Sequence, residues 1–146
     1  GWGKAPGRMD KICILHNKVS YVLTPLCVTL SDDNTMGRLL VEDLEARGIT
    51  RMALSVKSWG NAPTDCVVMR RCDMEFDGID DPALPAWFEN RPTDQWPVFP
   101  VWGMYFRNVK KVDVQDVKLS VKGKEYRKAW MVDNVKKHNL NVVDVR

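Results

Sequence analysis

Apolar and polar residues alternate with a period of two along much of this chain, which is the pattern of a half-buried β-strand. The stretches LSVKS, CVVMRRCDMEF, VDVQDVKLSV and LNVVDV are rich in β-branched residues and predict strands. Signs of helix are few. Leu40 and Leu44 have helical spacing, but a glycine interrupts that stretch, and its alignment with the other strands favours strand–turn–strand for LLVEDLEARGI.

The alternation recurs in five similar units: ILHNKVS, LVEDLEA, VMRRCDM, YFRNVKKVDV and MVDNVKKHNL. Each unit contains a polar pair, and successive units are offset by about 26, 28, 37 and 26 residues. Strand-containing repeats of this length, without helices between them, are typical of a solenoid whose stacked coils share one core. The sequence therefore predicts an all-β parallel β-helix of about five coils, forming one domain over residues 1–146. An antiparallel sandwich is the alternative, but only Asp77-Gly78 resembles the short turns that it needs.

The longest interval between units contains a segment rich in proline and aromatic residues. Residues 85–106 include three tryptophans, three phenylalanines and four prolines. Proline interrupts regular structure, so we predict a long loop over 77–103 that projects from one coil. Two interpretations stay open, and both can hold: the loop covers the flank of the solenoid with its own aromatic cluster, or it forms an aromatic wall beside a binding groove.

The composition is that of an ordinary folded protein, 45% hydrophobic and 28% charged, with a formal charge of +3. The positive charge is spread along the chain without a basic run, so we predict no nucleic-acid partner. No apolar stretch is long enough for a membrane span, and no membrane partner is predicted. The chain begins at Gly1 rather than methionine, which suggests a processed start or a piece of a longer protein.

The cysteines and histidines give no support for a metal site or a cofactor. The four cysteines form no CxxC pair, and His16 and His138 are far apart in the sequence. We therefore expect buried free thiols that act as small hydrophobic side chains, although the spacing leaves a disulfide open.

Two stretches resemble a known enzyme family. SDDNTMGRLLVEDLEARGITRMALSVKSW is similar to the late central segment of glycoside hydrolase family 28, the polygalacturonases, and GMYFRNVKKVDVQDVKLSV is similar to later coils of its bacterial members. The resemblance implies the C-terminal portion of a right-handed parallel β-helix that acts on a uronic-acid-containing polysaccharide such as pectin. It also implies a secreted or periplasmic protein.

The catalytic motifs of that family do not occur here in context, so the catalytic residues are unknown and are expected on coils upstream of this chain. The family's substrate-binding Arg-Ile-Lys motif reads Ser55-Val56-Lys57, which keeps only the lysine. Inverting hydrolysis needs two carboxyl groups. The carboxylates of this chain are interpreted as turn or solvent-exposed residues, and the candidates are Asp32, Asp33, Asp80, Asp81, Glu89 and Asp94.

Lys57 and Trp59 are the principal candidates for substrate binding, because a lysine can bind a sugar carboxylate while a ring packs on the apolar face of the sugar. The other candidates are Tyr105, Arg70 and Trp96. Arg70, with Arg71 and Arg107, is also predicted to lie at coil bends and to form a basic strip on one flank. Ordinary packing or solvation is the alternative role for each of them.

Three functions follow from these observations. The first is the C-terminal part of a polygalacturonase-like hydrolase, inactive by itself; the second is a non-catalytic carbohydrate-binding module; the third is a purely structural β-helix. A polysaccharide or oligosaccharide is the expected partner. Self-association through the exposed N-terminal coil is also expected, since unpaired strand edges promote association.

Overall fold

The computed structural model describes residues 7–31, 33–58, 62–89, 91 and 98–145. This part of the chain forms nine strands and one short helix: β1 (Arg8–Leu15), β2 (Lys18–Ser20), β3 (Cys27–Leu30), β4 (Thr35–Glu42), β5 (Glu45–Ile49), β6 (Leu54–Ser58), β7 (Thr64–Phe76), α1 (Leu84–Glu89), β8 (Val101–Val121) and β9 (Lys128–Val145).

The strands stack as a parallel β-solenoid of about five coils, which confirms the predicted fold class. Every strand pair in the described residues is parallel, so the antiparallel sandwich is wrong. The strands form three stacks. Face 1 comprises β1, β4, 64–70, 109–115 and 135–140. Face 2 comprises β2, β5, 73–76, 118–121 and 143–145, and face 3 comprises β3, β6, 101–107 and 128–133.

The register gives the length of each coil directly. One column of face 1 contains Ile12, Leu39, Val67, Val112 and His138, which are successively 27, 28, 45 and 26 residues apart. The third coil is therefore about 17 residues longer than its neighbours, rather than about ten. The sequence alignment underestimated this insertion because its last two units begin at a different corner of the coil from the first three.

The corners of the coils are made by residues with left-handed backbone. At the corner between face 1 and face 2, these residues are His16, Asp43, Arg71 and Asp116, with φ between 52° and 54°. Asn108 and Asn134 make the corner between face 3 and face 1. Their amides form a ladder, in which Asn134 Nδ2 donates to Asn108 Oδ1 and Asn108 Nδ2 donates to the Ser58 carbonyl, each at 2.7 Å. Asparagine suits this position because its amide can bond to nearby backbone or to its neighbour in the stack.

The core consists of inward side chains that lie above one another in successive coils. On face 3, for example, Val56 pairs with Phe106 in register, and both are fully buried. Burying such columns removes apolar surface from water continuously along the solenoid, which a single coil could not do. In the first coil the inward residues Ile12 and Ile14 are only half-buried, and self-association through this coil stays a prediction.

The prediction of buried thiols is only partly right. All four cysteines are free, and Cys72 is buried, but Cys66 is half-buried, and Cys13 and Cys27 are exposed. Cys13 and Cys27 are exposed because they occupy outward positions of first-coil strands, next to inward residues such as Ile14 and Val28. No helix within the described residues is long and apolar enough to cross a membrane.

Candidate functional site

Two cations lie next to each other on the outward side of face 3. Lys57 on β6 pairs in register with Arg107 on β8, and Arg107 pairs with Asp133 on β9. Adjacent strands are about 4.8 Å apart, so the two cationic side chains leave the sheet within reach of one ligand group. Arg107 Nε lies 3.7 Å from Asp133 Oδ2.

The insertion of the third coil, residues 77–100, packs on this face through Phe99. The Phe99 ring stacks on the Tyr105 ring, with 5.0 Å between centroids and 21° between planes. The Lys57 ammonium lies 4.9 Å from the centre of the same Phe99 ring, which is within cation–π distance. Ala53, Phe99, Val101 and Tyr105 form a small buried cluster separate from the main core. The interpretation that the loop covers the flank with its own aromatic cluster is therefore confirmed for the described residues.

The electrostatics of face 3 follow from this partial burial. Burial lowers the pKa of Lys57, and the neighbouring charge of Arg107 acts in the same direction. Burial also raises the pKa of Tyr105, with a further contribution from Asp133. Tyr105 therefore keeps its proton at neutral pH, and its hydroxyl donates a hydrogen bond to Asp133 Oδ2 at 3.3 Å. An anionic ligand beside Lys57 and Arg107 would offset the cost of holding these two charges together.

A buried ion pair fixes both ends of the insertion. The guanidinium of Arg127 bonds to the Glu125 carboxylate at 2.6 and 2.8 Å, and both side chains are almost completely buried. Arg127 Nη1 also donates to the carbonyls of Phe99 and Val101, at 2.9 and 3.3 Å. Glu125 Oε2 accepts a bond from the Ile79 amide at 3.2 Å. We call Glu125 and Arg127 the clamp, because they connect the start and the end of the insertion to the fourth coil.

Little in the local sequence indicates this clamp. Glu125 and Arg127 stand in the stretch KGKEYRK, which resembles an ordinary charged surface turn. Burial by itself raises the pKa of Glu125, but the hydrogen bonds and the charge of Arg127, together with the Ile79 amide, outweigh it and keep the pKa below its usual value. The position of the clamp is a signal that could have indicated it. The clamp follows face 2 of the fourth coil, at the same corner from which the insertion leaves the third coil.

The structure brings together only some of the predicted binding residues. Lys57 and Tyr105 share the outward side of face 3, whereas Arg70 is exposed on face 1 and belongs to a different surface. The predicted basic strip is wrong, because Arg70 and Arg71 lie at the end of face 1 and Arg107 lies on face 3. Trp59 and Trp96 lie outside the described residues.

The described candidate carboxylates have structural contacts or lie at chain turns. Asp81 Oδ1 accepts a bond from the Ala83 amide at the start of α1, and Asp80 contacts Tyr126 and Lys124. The remaining candidates are Asp33 in a left-handed turn, Glu89 at the end of α1, and Asp32 and Asp94, which lie outside the described residues. On the outward side of face 3, Asp133 is the one carboxylate among the described residues. The described part of this face thus lacks the carboxylate pair of an inverting hydrolase.

A cavity of about 320 Å³ adjoins this face. It lies between α1 and the start of β9, and its lining includes Phe88, Pro100 and Met131. Met131 pairs in register with Tyr105, so the cavity is next to the aromatic cluster. Lys128 and Glu89 supply charges to its lining. Face 3 therefore carries a pair of cations, Lys57 and Arg107, and next to them a hollow lined by Phe88, Pro100 and Met131.

A second, more open cavity of about 460 Å³ lies at the corner between faces 1 and 2, and its lining is almost entirely charged. His16 Nδ1 is 2.8 Å from Asp43 Oδ2, and Arg71 Nε is 2.7 Å from Asp43 Oδ1. The network continues across the first three coils through Lys18, Glu45, Arg47 and Asp73. This surface is a ladder of compensating charges that connects three coils.

The ladder predicts an acid-sensitive contribution to stability. The hydrogen bond from Arg71 lowers the pKa of Asp43 against the opposing effect of burial, and the charge of His16 adds to the lowering. Because the pKa of Asp43 is lower in the folded state than in the unfolded state, its ionised carboxylate stabilises the native state at pH values above the ordinary pKa of 3.8. This stabilisation is lost as the pH falls through the pKa of the folded state. We expect Asp43→Asn, which retains the left-handed preference, to be less stable than the parent chain in urea unfolding at pH 7. The difference should shrink at pH 3, and an unchanged difference would contradict the assignment; Glu89→Gln is the control.

Within the described residues no group of three or more histidine, cysteine, aspartate or glutamate side chains is arranged to hold a metal ion. Comparison with protein-family models, with curated proteins and with solved structures finds no match for this chain.

Proposed function

We propose that this solenoid is the C-terminal part of a polygalacturonase-like glycoside hydrolase, and that face 3 binds a uronic-acid-containing polysaccharide. The observation that carries the proposal is the pairing of Lys57 with Arg107 on adjacent coils, beside the Phe99 and Tyr105 rings. A guanidinium and an ammonium at this separation can both bond to one sugar carboxylate. The resemblance of Ser55-Val56-Lys57 to the family's substrate-binding motif supports the same face.

The aromatic and apolar surroundings suit the rest of a sugar ring. A pyranose presents apolar C–H groups on its faces and hydroxyls at its edge, so it packs against surfaces that are apolar but rimmed by polar groups. The hollow lined by Phe88, Pro100 and Met131 provides such an apolar surface, and Asp133 provides an acceptor at its rim. Phe99 and Tyr105 are buried, so they support this surface from beneath rather than contact the sugar. The insertion therefore serves both as a cover for the flank and as one wall of the proposed groove.

Under this proposal, hydrolysis would need carboxylates other than those described on face 3. Asp133 bonds to Tyr105 and lies beside Arg107, and no second carboxylate is described on the outward side of this face. We expect no reducing-sugar release from polygalacturonate by this chain alone. Turnover that disappears on replacing a single carboxylate of this chain would contradict that expectation. Binding without turnover would agree equally well with a non-catalytic carbohydrate-binding module.

Lys57→Gln should weaken the binding of a short oligogalacturonide by about tenfold or more, since it removes a charge-assisted hydrogen bond from a half-buried site. The measurement is titration of the oligosaccharide with tryptophan fluorescence or calorimetry as the readout. Lys118→Gln is the matched control, because Lys118 is an exposed lysine on face 2. Equal affinities of the two variants would overturn the assignment of the site.

The lowered pKa of Lys57 adds a pH dependence to this binding. Lysine binds a carboxylate in its charged form, which is present below its pKa, and the folded pKa of Lys57 is lowered. As the pH rises, the affinity should therefore begin to fall at a lower pH than it would with an ordinary exposed lysine. In Lys57→Gln this alkaline decline should be absent.

A further inference from the structure

Face 1 carries a concentration of positive charge that is not apparent along the sequence. Its strands, residues 8–15, 35–42, 64–70, 109–115 and 135–140, contain eight lysines and arginines and four aspartates and glutamates, a net charge of +4. The whole chain has a net charge of +3. The excess positive charge of the molecule is therefore located on this one face, while the rest of the chain is close to neutral.

The cations of face 1 are aligned along the solenoid. Lys11, Arg38, Lys111 and Lys137 occupy one column, interrupted only by Cys66 in the third coil. We call these four side chains the cationic column. Its lysines and arginine are exposed and point away from the core, because the next residue in each strand is an inward one. The column extends along the axis across all five coils, with neighbouring strands about 4.8 Å apart.

Six of the eight cations of face 1 form no ion pair with a carboxylate within the described part of the chain. Asp65 bonds to Arg8 and Lys110, and Glu42 bonds to Arg71. The cations of face 1 that have no ion pair among the described residues are Lys11, Arg38, Arg70, Lys111, Lys136 and Lys137. By contrast, the corner ladder beside this face balances its charges across the first three coils.

Like charges directly opposite each other on neighbouring strands destabilise a sheet. Lys111 and Lys137 are such a pair, and the repeated Asn-Val-Lys-Lys places Lys110 and Lys136 beside them. A bound polyanion would relieve this repulsion and would gain from every coil that it crosses. The arrangement thus favours a linear ligand that carries one negative group per repeating unit.

The chemistry of the surrounding surface distinguishes between polyanions. The face 1 strands contain no tryptophan, tyrosine or phenylalanine, whereas single-stranded nucleic acids are usually bound by stacking on aromatic rings. Peripheral membrane surfaces combine cations with protruding aromatic and apolar anchors. The face 1 strands have no aromatic residue of this kind, and their large exposed apolar side chains, Met9 and Leu15, both lie on the first coil. An acidic polysaccharide needs neither, since its carboxylates project at regular intervals along an extended chain.

We propose that face 1 is a second binding track for an acidic polysaccharide, which runs along the solenoid with its carboxylates against the cationic column. The identity of the ligand rests on the proposed function, but the surface does not overlap face 3. A long polymer could therefore occupy both faces of one or several molecules, whereas a short oligosaccharide would occupy face 3 alone. This track would retain the solenoid on its polymer between contacts at face 3.

The test compares polygalacturonate with a short oligogalacturonide, using the full chain and its variants. The face 1 variant is Arg38→Gln, Lys111→Gln and Lys137→Gln together. Its affinity for the polymer should fall by about tenfold, with a weaker dependence on salt, because three charged contacts are removed. Its affinity for the oligosaccharide should not change. The matched control is Lys118→Gln, Lys122→Gln and Lys124→Gln, which removes the same charge from exposed positions outside face 1.

Each result separates this inference from the proposed function. If the face 1 variant and the control bind the polymer equally, the second track is overturned, whatever the effect of Lys57→Gln. If Lys57→Gln has no effect while the face 1 variant loses polymer binding, the track stands and the assignment of face 3 fails. Retention of single-stranded DNA or phosphatidylserine vesicles in preference to polygalacturonate, lost in the face 1 variant, would overturn the polysaccharide as its ligand.

Discussion

Arg127→Met is expected to lower the free energy of unfolding by about 3–5 kcal/mol, because it leaves the buried Glu125 carboxylate without its partner. The variant also removes the donors to the Phe99 and Val101 carbonyls, so the end of the insertion loses its attachment to the fourth coil. Chemical unfolding at neutral pH measures the loss. Since Phe99 lies between Lys57 and Tyr105, affinity for an oligogalacturonide should decrease in the same variant.

Two comparisons test whether the clamp is responsible. Lys124→Met, at an exposed position of the same turn, should change stability little. The double variant Glu125→Gln, Arg127→Met should be more stable than Arg127→Met alone, because the unpaired buried charge is gone while the amide oxygen can still accept part of the backbone hydrogen bonds that Glu125 accepts from Ile79, Tyr126 and Arg127. If Arg127→Met unfolds at the same denaturant concentration as the parent chain, the buried pair contributes no net stability.

Phe106→Ala is expected to cost about 3–5 kcal/mol, the usual range for deleting a fully buried aromatic side chain. Phe106, on the third coil, lies in the inward column between Val56 of the second coil and Val132 of the fourth, so the cavity would open in the middle of the solenoid. Because each coil packs only on its neighbours, this defect should weaken the coupling between the two ends of the solenoid. Unfolding followed by circular dichroism should show an earlier and broader transition.

Val143→Ala is the control for that experiment, since Val143 is 58% exposed on the last coil. It should lower stability by a fraction of the loss in Phe106→Ala. Equal losses in the two variants would mean that the inward columns are not the source of stability, which would contradict the stacked core.

The short elements of the fold could be predicted from local patterns. LLVEDLEARGI contains the end of β4, Asp43 at the turn, and β5. This arrangement is predictable because the alternation and the corner residue are both features of neighbouring positions in the sequence. The alignment of coils was predicted less well. NVKK recurs at the corner after face 3, whereas the first three units turn after face 1. Because similar sequences at different corners were aligned with each other, the length of the insertion was underestimated.

The candidate site was predicted in part for the same reason. Lys57 was identified from a motif resemblance and Tyr105 from its position after the loop, and both lie on face 3. Arg70 and Arg107 each belong to a polar pair in the sequence, but their strands belong to different faces. The clamp was missed, since a charged turn gives no indication of burial until the insertion covers it.

The parallel solenoid of about five coils can be inferred from the sequence alone, because a two-residue period and recurring corner residues are local properties of the chain. Which side chains share a column depends on the folded register. A charge or ring acquires its neighbours from residues 26 to 50 positions away, and one misplaced corner moves it to another face. The pairing of Lys57 with Arg107, the clamp and the cationic column all depend on that register, and so does every function assigned to them.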